Sequence, residues 1–160
     1  MRPGSLETSC PACGALAEGG RAACQTLFDE ILAREFGDYR YGRVHRLTVD
    51  AYALQHPGEY MRSAKSYAAH LTGMCAALEG DSAAATNRAV QQWLGGPKAL
   101  TRPDHPPPLQ RGALTVAHVH DARDPDEHVR RVREWAASTW EAWRGYHGLA
   151  REWIAEATRR

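Results

Sequence analysis

The stretch Val44-His45-Arg46-Leu47-Thr48-Val49-Asp50-Ala51-Tyr52-Ala53-Leu54-Gln55-His56-Pro57 decides how the rest of the chain is read. Its apolar residues recur at helical spacing and a proline closes it. Read as a helix, it places His45, Val49, Tyr52 and His56 one above another on a single face. That face is polar, yet Val44, Leu47, Ala51 and Leu54 flank it. A buried helix carrying two histidines, an aspartate and a glutamine is expected to form one wall of a functional site.

Working outward, more helices follow from the same periodicity. Residues 23–36 carry Phe28, Leu32 and Phe36 in one row and Leu27 and Ile31 beside it, ending at Gly37-Asp38. The helix of the opening stretch spans residues 42–55. Residues 59–79 hold Ala64, Tyr67, Ala68, Leu71, Met74, Cys75 and Leu78 at a 3.6-residue period, with Gly80 as the stop. Asp81 or Ser82 can cap a shorter helix reaching Trp93-Leu94. Prolines at 103, 106, 107 and 108 make residues 97–111 an irregular loop, either a surface crossing or a lid. Leu114–His120 reads as a strand or as a short turn before a helix. A long last helix is expected over residues 125–158, with Val129, Val132, Ala136, Trp140, Trp143, His147, Ala150 and Ile154 facing the core. The tryptophans at this spacing read as core rather than as a binding wall. The expected fold is an all-α, single-domain helical bundle with an N-terminal cysteine knuckle over residues 1–22.

Composition narrows the function classes. The chain has 160 residues, of which 43% are hydrophobic and 24% charged, with a formal net charge of +1. No basic excess points to nucleic acid: Arg130, Arg131 and Arg133 are interspersed with Asp124, Asp126, Glu127 and Glu134. No apolar run is long enough to span a membrane, and Met1–Ser5 leads into no apolar secretory segment. A cytoplasmic protein is expected. A small-molecule or protein partner and a homo-oligomer both stay open.

Cysteine usage carries the most specific chemistry. Cys10-Pro11-Ala12-Cys13-Gly14 spaces two thiolates for one zinc, and the glycine permits a turn that aims backbone N–H groups at the sulfurs. Cys24 is the natural third ligand at a helix start. The fourth stays open among Cys75 and the histidines. A redox-active pair is the competing reading, although it lacks the βαβ context. Cys75 lies in an apolar stripe and reads as core.

A second constellation draws on His45, His56, His70 and His147 from three helices, which together could hold a metal with an open position for catalysis. Asp50 serves there as ligand or orienting carboxylate, and Asp50 and His56 are the candidate catalytic residues. The simpler reading of Asp50 is an ion pair with Arg46. His105, His118, His120 and His128 read as surface residues; His118 and His120 share one side if their segment is a strand. No G-x-S-x-G, G-x-G-x-x-G or G-x-x-x-x-G-K motif occurs.

The C-P-x-C-G start, Cys24-Gln25-x-Leu27, the block His45–Pro57, Ser66-x-x-x-His70-Leu71 and Trp143-x-x-x-His147 together resemble a family of small bacterial proteins catalogued as a domain of unknown function. The resemblance covers nearly the whole chain and implies that Cys10, Cys13, Cys24, Asp50, Gln55, His56 and His70 belong to the family pattern. It implies no activity. Three functions therefore stand side by side: a zinc-binding helical protein, a metal-dependent hydrolase or transferase, and a non-catalytic partner-binding protein.

Overall fold

A computed structural model describes residues 8–159. The opening of the loop expected over residues 1–22, Met1–Glu7, lies outside the described residues. Nine α-helices and one 3₁₀ turn make up the regular structure among them, so the fold is all-α. No described helix is long and apolar enough to cross a membrane.

Helix α1 (Gly20–Gly37) buries Cys24, Phe28, Ile31 and Glu35 along one stripe. The expected row through Phe36 is displaced, because Phe36 is exposed. The stripe is rotated toward Cys24 and Glu35, both of which need interior partners. After the short α2 (Tyr39–Gly42), helix α3 (His45–Gln55) buries Leu47, Thr48 and every residue from Asp50 to Gln55. A helix covered on so many sides belongs at the centre of a bundle. It packs between α5 (Ala64–Glu79) and α8 (Pro125–Ala142).

The helix expected over residues 59–79 is two helices. Pro57–Tyr60 forms a single turn, α4. Ser63 then starts α5 by a capping box, with the Ser63 hydroxyl accepting from the Ser66 N–H and the Ser66 side chain from the Ser63 N–H. Helix α6 (Ala83–Gly95) follows, packed on α5. The Pro-rich loop is fastened: Arg102 Nε donates to Met61 O at 2.6 Å and the Tyr67 hydroxyl to Asp104 O at 2.7 Å. The segment after it is helical at α7 (Val116–His120), capped by Thr115.

The long last helix is interrupted. α8 stops at Ala142, Arg144–Tyr146 form a 3₁₀ turn, and α9 (His147–Thr158) runs on against α5 and α6. Two side chains account for the break. Trp143 is fully buried and its indole N–H donates to Leu54 O at 3.1 Å. His147 Nε2 donates to Trp140 O at 2.7 Å, and its ring stacks on Trp140 with centroids 3.8 Å apart. The carbonyl released at the helix end thus finds a partner. Trp135, Trp140, Trp143 and Trp153 are all buried in the core, as their spacing predicts.

Candidate metal centre

The cysteine knuckle is built from local hydrogen bonds. Cys10 N–H donates to Ala15 O at 2.9 Å and Gly14 N–H to Cys10 O at 2.8 Å, while an isolated bridge joins Ser9 to Leu16. Gly14 has φ 83°, the left-handed region that favours glycine. The turn aims the Ala15 N–H at Cys13 Sγ, 3.4 Å away.

Two helices complete the cluster. Cys24 comes from the first turns of α1, and His56 from the residue that ends α3. His56 has φ −132° and ψ 54°, outside the helical region, so its ring swings off the helix toward the knuckle. Cys10 Sγ lies 3.7 Å from His56 Nε2, Cys24 Sγ 3.6 Å from the same nitrogen, and Cys13 Sγ 3.7 Å from Cys24 Sγ. All four donor atoms lie within 4.8 Å of one another, and all four residues are buried.

These separations can be compared with a metal. Zinc–sulfur bonds of about 2.3 Å and zinc–nitrogen bonds of about 2.0–2.1 Å, set tetrahedrally, place sulfurs about 3.8 Å apart and sulfur about 3.6 Å from nitrogen. The donors fit. They also form a closed set of four, the arrangement of structural rather than catalytic zinc.

The surrounding groups orient the donors. His56 Nδ1 lies 2.8 Å from Tyr52 O and donates its proton there, leaving the Nε2 lone pair facing the sulfurs and free to bind a metal ion. The Tyr52 hydroxyl is 3.2 Å from Cys24 Sγ and itself accepts from Arg21 Nη1 at 2.8 Å. Arg21 is in turn held by both oxygens of Glu59, at 2.8 and 2.7 Å. A continuous chain Glu59–Arg21–Tyr52–Cys24 therefore runs from solvent to the cluster.

Protonation follows these contacts. The Cys24 thiol is pulled down to about 4, first by its hydrogen bond with Cys13 and then, against burial, by those with His56 and Tyr52. Burial opposes the Cys10 thiolate, but the His56 hydrogen bond and the backbone N–H groups of Cys13 and Ala12 outweigh it and lower its pKa. Cys13 is pushed up by the Cys24 hydrogen bond and by burial. Burial also opposes the charged His56 imidazole, and the Cys10 and Cys24 contacts raise its pKa overall.

A protein-family model described as a family of unknown function, DUF5946, matches residues 8–144. The chain belongs to DUF5946. No curated protein and no solved structure matches it. All four clustered residues fall within the DUF5946 match, whereas His147 lies beyond it.

The remaining residues expected at a site in this DUF5946 chain go elsewhere. His45 Nδ1 pairs with Glu35 at 3.0 Å. His70 Nδ1 pairs with Asp50 at 2.9 Å. His147 is the helix-break clamp described above. The three histidines therefore do not converge with His56, because α3 sends His45 toward α1 and Asp50 toward α5. Asp50 also accepts from Arg46 Nε at 2.9 Å, the ion pair read from the sequence. Cys75 is buried, donates to Glu79 Oε2 and has its thiol pushed up to about 12 by burial. His118 and His120 bond separate carboxylates, Glu134 and Glu30.

Four participants escaped the sequence reading. His128, expected at the surface, is fully buried with Nε2 2.8 Å from Glu35; its spacing to Val132 on α8 is the signal that placed it inside. Arg21 and Glu59 carry no motif. Nor does Arg111, a buried cation beside the knuckle.

Proposed function

We propose that this DUF5946 chain is a zinc-binding protein in which Cys10, Cys13, Cys24 and His56 hold one structural zinc. The carrying observation is the set of donor separations, which fit a tetrahedral zinc across two helices and a knuckle. Three thiolates and one imidazole form a soft donor set that favours zinc over calcium or magnesium. Closure of the set on four protein donors supports a stapling role, with no position left for water or substrate. The bound ion would tie the residue 10–15 turn to α1 and to the end of α3. Unpaired cysteines in a reducing cytoplasm suit metal ligation better than disulfide formation.

Metal analysis of the purified protein tests this reading. One zinc per chain is expected, lost in Cys13→Ser and in His56→Ala, and retained in His45→Ala, His70→Ala and His147→Ala. Zinc retained in the first two variants, or zinc absent from the wild type, would overturn it.

A further inference from the structure

Buried charges in this fold come with partners, with one exception among the described residues. Glu35 meets His45 and His128, and Asp50 meets Arg46 and His70. Arg111 is 5% exposed, yet every group its guanidinium contacts is uncharged. Nε donates to Pro106 O at 2.9 Å, Nη1 donates to Gln55 O at 3.2 Å, and Nη2 lies 3.4 Å from His105 Nδ1. Dipoles alone leave a buried cation unfavourable. A counter-charge is needed nearby.

The backbone brings Arg111 against the two halves of the cysteine cluster. Gln55, whose carbonyl it binds, immediately precedes the ligand His56, and Gln55 Nε2 donates back to Arg111 O at 3.1 Å. On the other side, Leu109 N–H donates to Ala12 O at 3.0 Å, inside the turn between Cys10 and Cys13. Leu109 adopts φ 67° to make that contact, an uncommon conformation for leucine. Burial lowers the Arg111 pKa, while the charges of Cys13 and Cys10 act to raise it.

We propose that Arg111 is the charge-compensating residue of the Cys10/Cys13/Cys24/His56 centre. The assignment rests on the zinc reading above. Three thiolates around a divalent ion leave one net negative charge, and one guanidinium cancels it inside the fold. Arg111 does not ligate the metal. It stabilises the loaded centre electrostatically and, through Gln55 O, positions the residue next to His56.

The consequence is a dependence on metal. With zinc bound, Arg111 completes a neutral assembly; without the ion, that assembly does not form. The test is zinc affinity by chelator competition for wild type, Arg111→Gln and Arg111→Lys, with thermal melting of zinc-loaded and zinc-stripped protein. Arg111→Gln is expected to weaken zinc at least about tenfold, and Arg111→Lys clearly less. Arg111→Gln should lower the melting temperature of loaded protein by more than that of stripped protein. Equal loss in loaded and stripped protein would mark a packing role and overturn the assignment, as would unchanged zinc affinity in Arg111→Gln. If stripped protein does not fold, the affinities decide alone, and equal weakening by Gln and Lys overturns it. Wild-type protein without zinc would overturn the zinc reading itself, and the assignment with it.

Discussion

Cys24 Sγ and His56 Nε2 stand 3.6 Å apart although 32 positions separate them in the chain. One lies on α1 and the other at the end of α3, so their approach fixes how those helices meet at the knuckle. A metal between them would add coordinate bonds to that helix contact. Removing zinc with a chelator is therefore expected to release the knuckle first. Amide exchange should accelerate over residues 9–17 while α3 and α8 stay protected, and the melting temperature should fall as the binding energy is lost.

The hydrogen bonds behind the ligands predict a graded effect. Tyr52→Phe keeps the ring stacked on Phe28, whose centroid is 3.8 Å away, but removes the hydroxyl at Cys24. Zinc affinity should drop by about ten- to a hundredfold with one zinc still bound at saturation. Chelator competition measures this. Loss of the stoichiometry itself would mean that Tyr52 holds the fold rather than the ligand.

The α3–α5 contact depends on a missing side chain. A Cβ on Gly73 would collide with the Asp50 carboxylate and the Arg46 guanidinium. Gly73→Ala should lower stability by about 1–3 kcal/mol through overpacking and through disturbance of the Asp50–Arg46 ion pair. Denaturant unfolding gives the value, and zinc stoichiometry should be unchanged.

How much of this was legible in the sequence follows from distance along the chain. The knuckle and the helix His45–Gln55 are local patterns, and both formed as their spacing predicts. His56 was one ligand candidate among several, because the choice depends on a contact 46 residues away with Cys10. Helical projection placed His45 and His56 on one face. The backbone at His56 leaves the helix, however, and the two rings serve different partners. The break before His147 was hidden for a related reason: its apolar spacing continues through the 3₁₀ turn, and only the Trp143 and His147 hydrogen bonds reveal it. The burial of Arg111 and Glu35 carries no local sequence signal and depends on the folded chain.

Acid stability has a separate source at Glu79. Its carboxylate joins three helices, accepting from Arg151 Nε at 2.9 Å and Nη2 at 2.7 Å and from the Trp140 indole at 3.3 Å. The Arg151 hydrogen bonds, and against burial those of Trp140 and Cys75, hold its pKa at about 2. A carboxylate lowered in the folded state stabilises the fold above its unfolded pKa and loses that contribution as pH falls toward its folded one. Glu79→Gln should therefore reduce stability at neutral pH by up to about 1 kcal/mol, given the exposed Arg151 partner. The difference from wild type should shrink between about pH 4.5 and about pH 2. Melting followed across that range checks it.

The central claim is that three sulfurs and one imidazole nitrogen hold zinc. Zinc K-edge X-ray absorption on the purified protein reads that donor set directly. Three sulfurs at about 2.3 Å and one nitrogen at about 2.0–2.1 Å are expected. A shell dominated by oxygen and nitrogen, or fewer than three sulfurs per zinc, would contradict it.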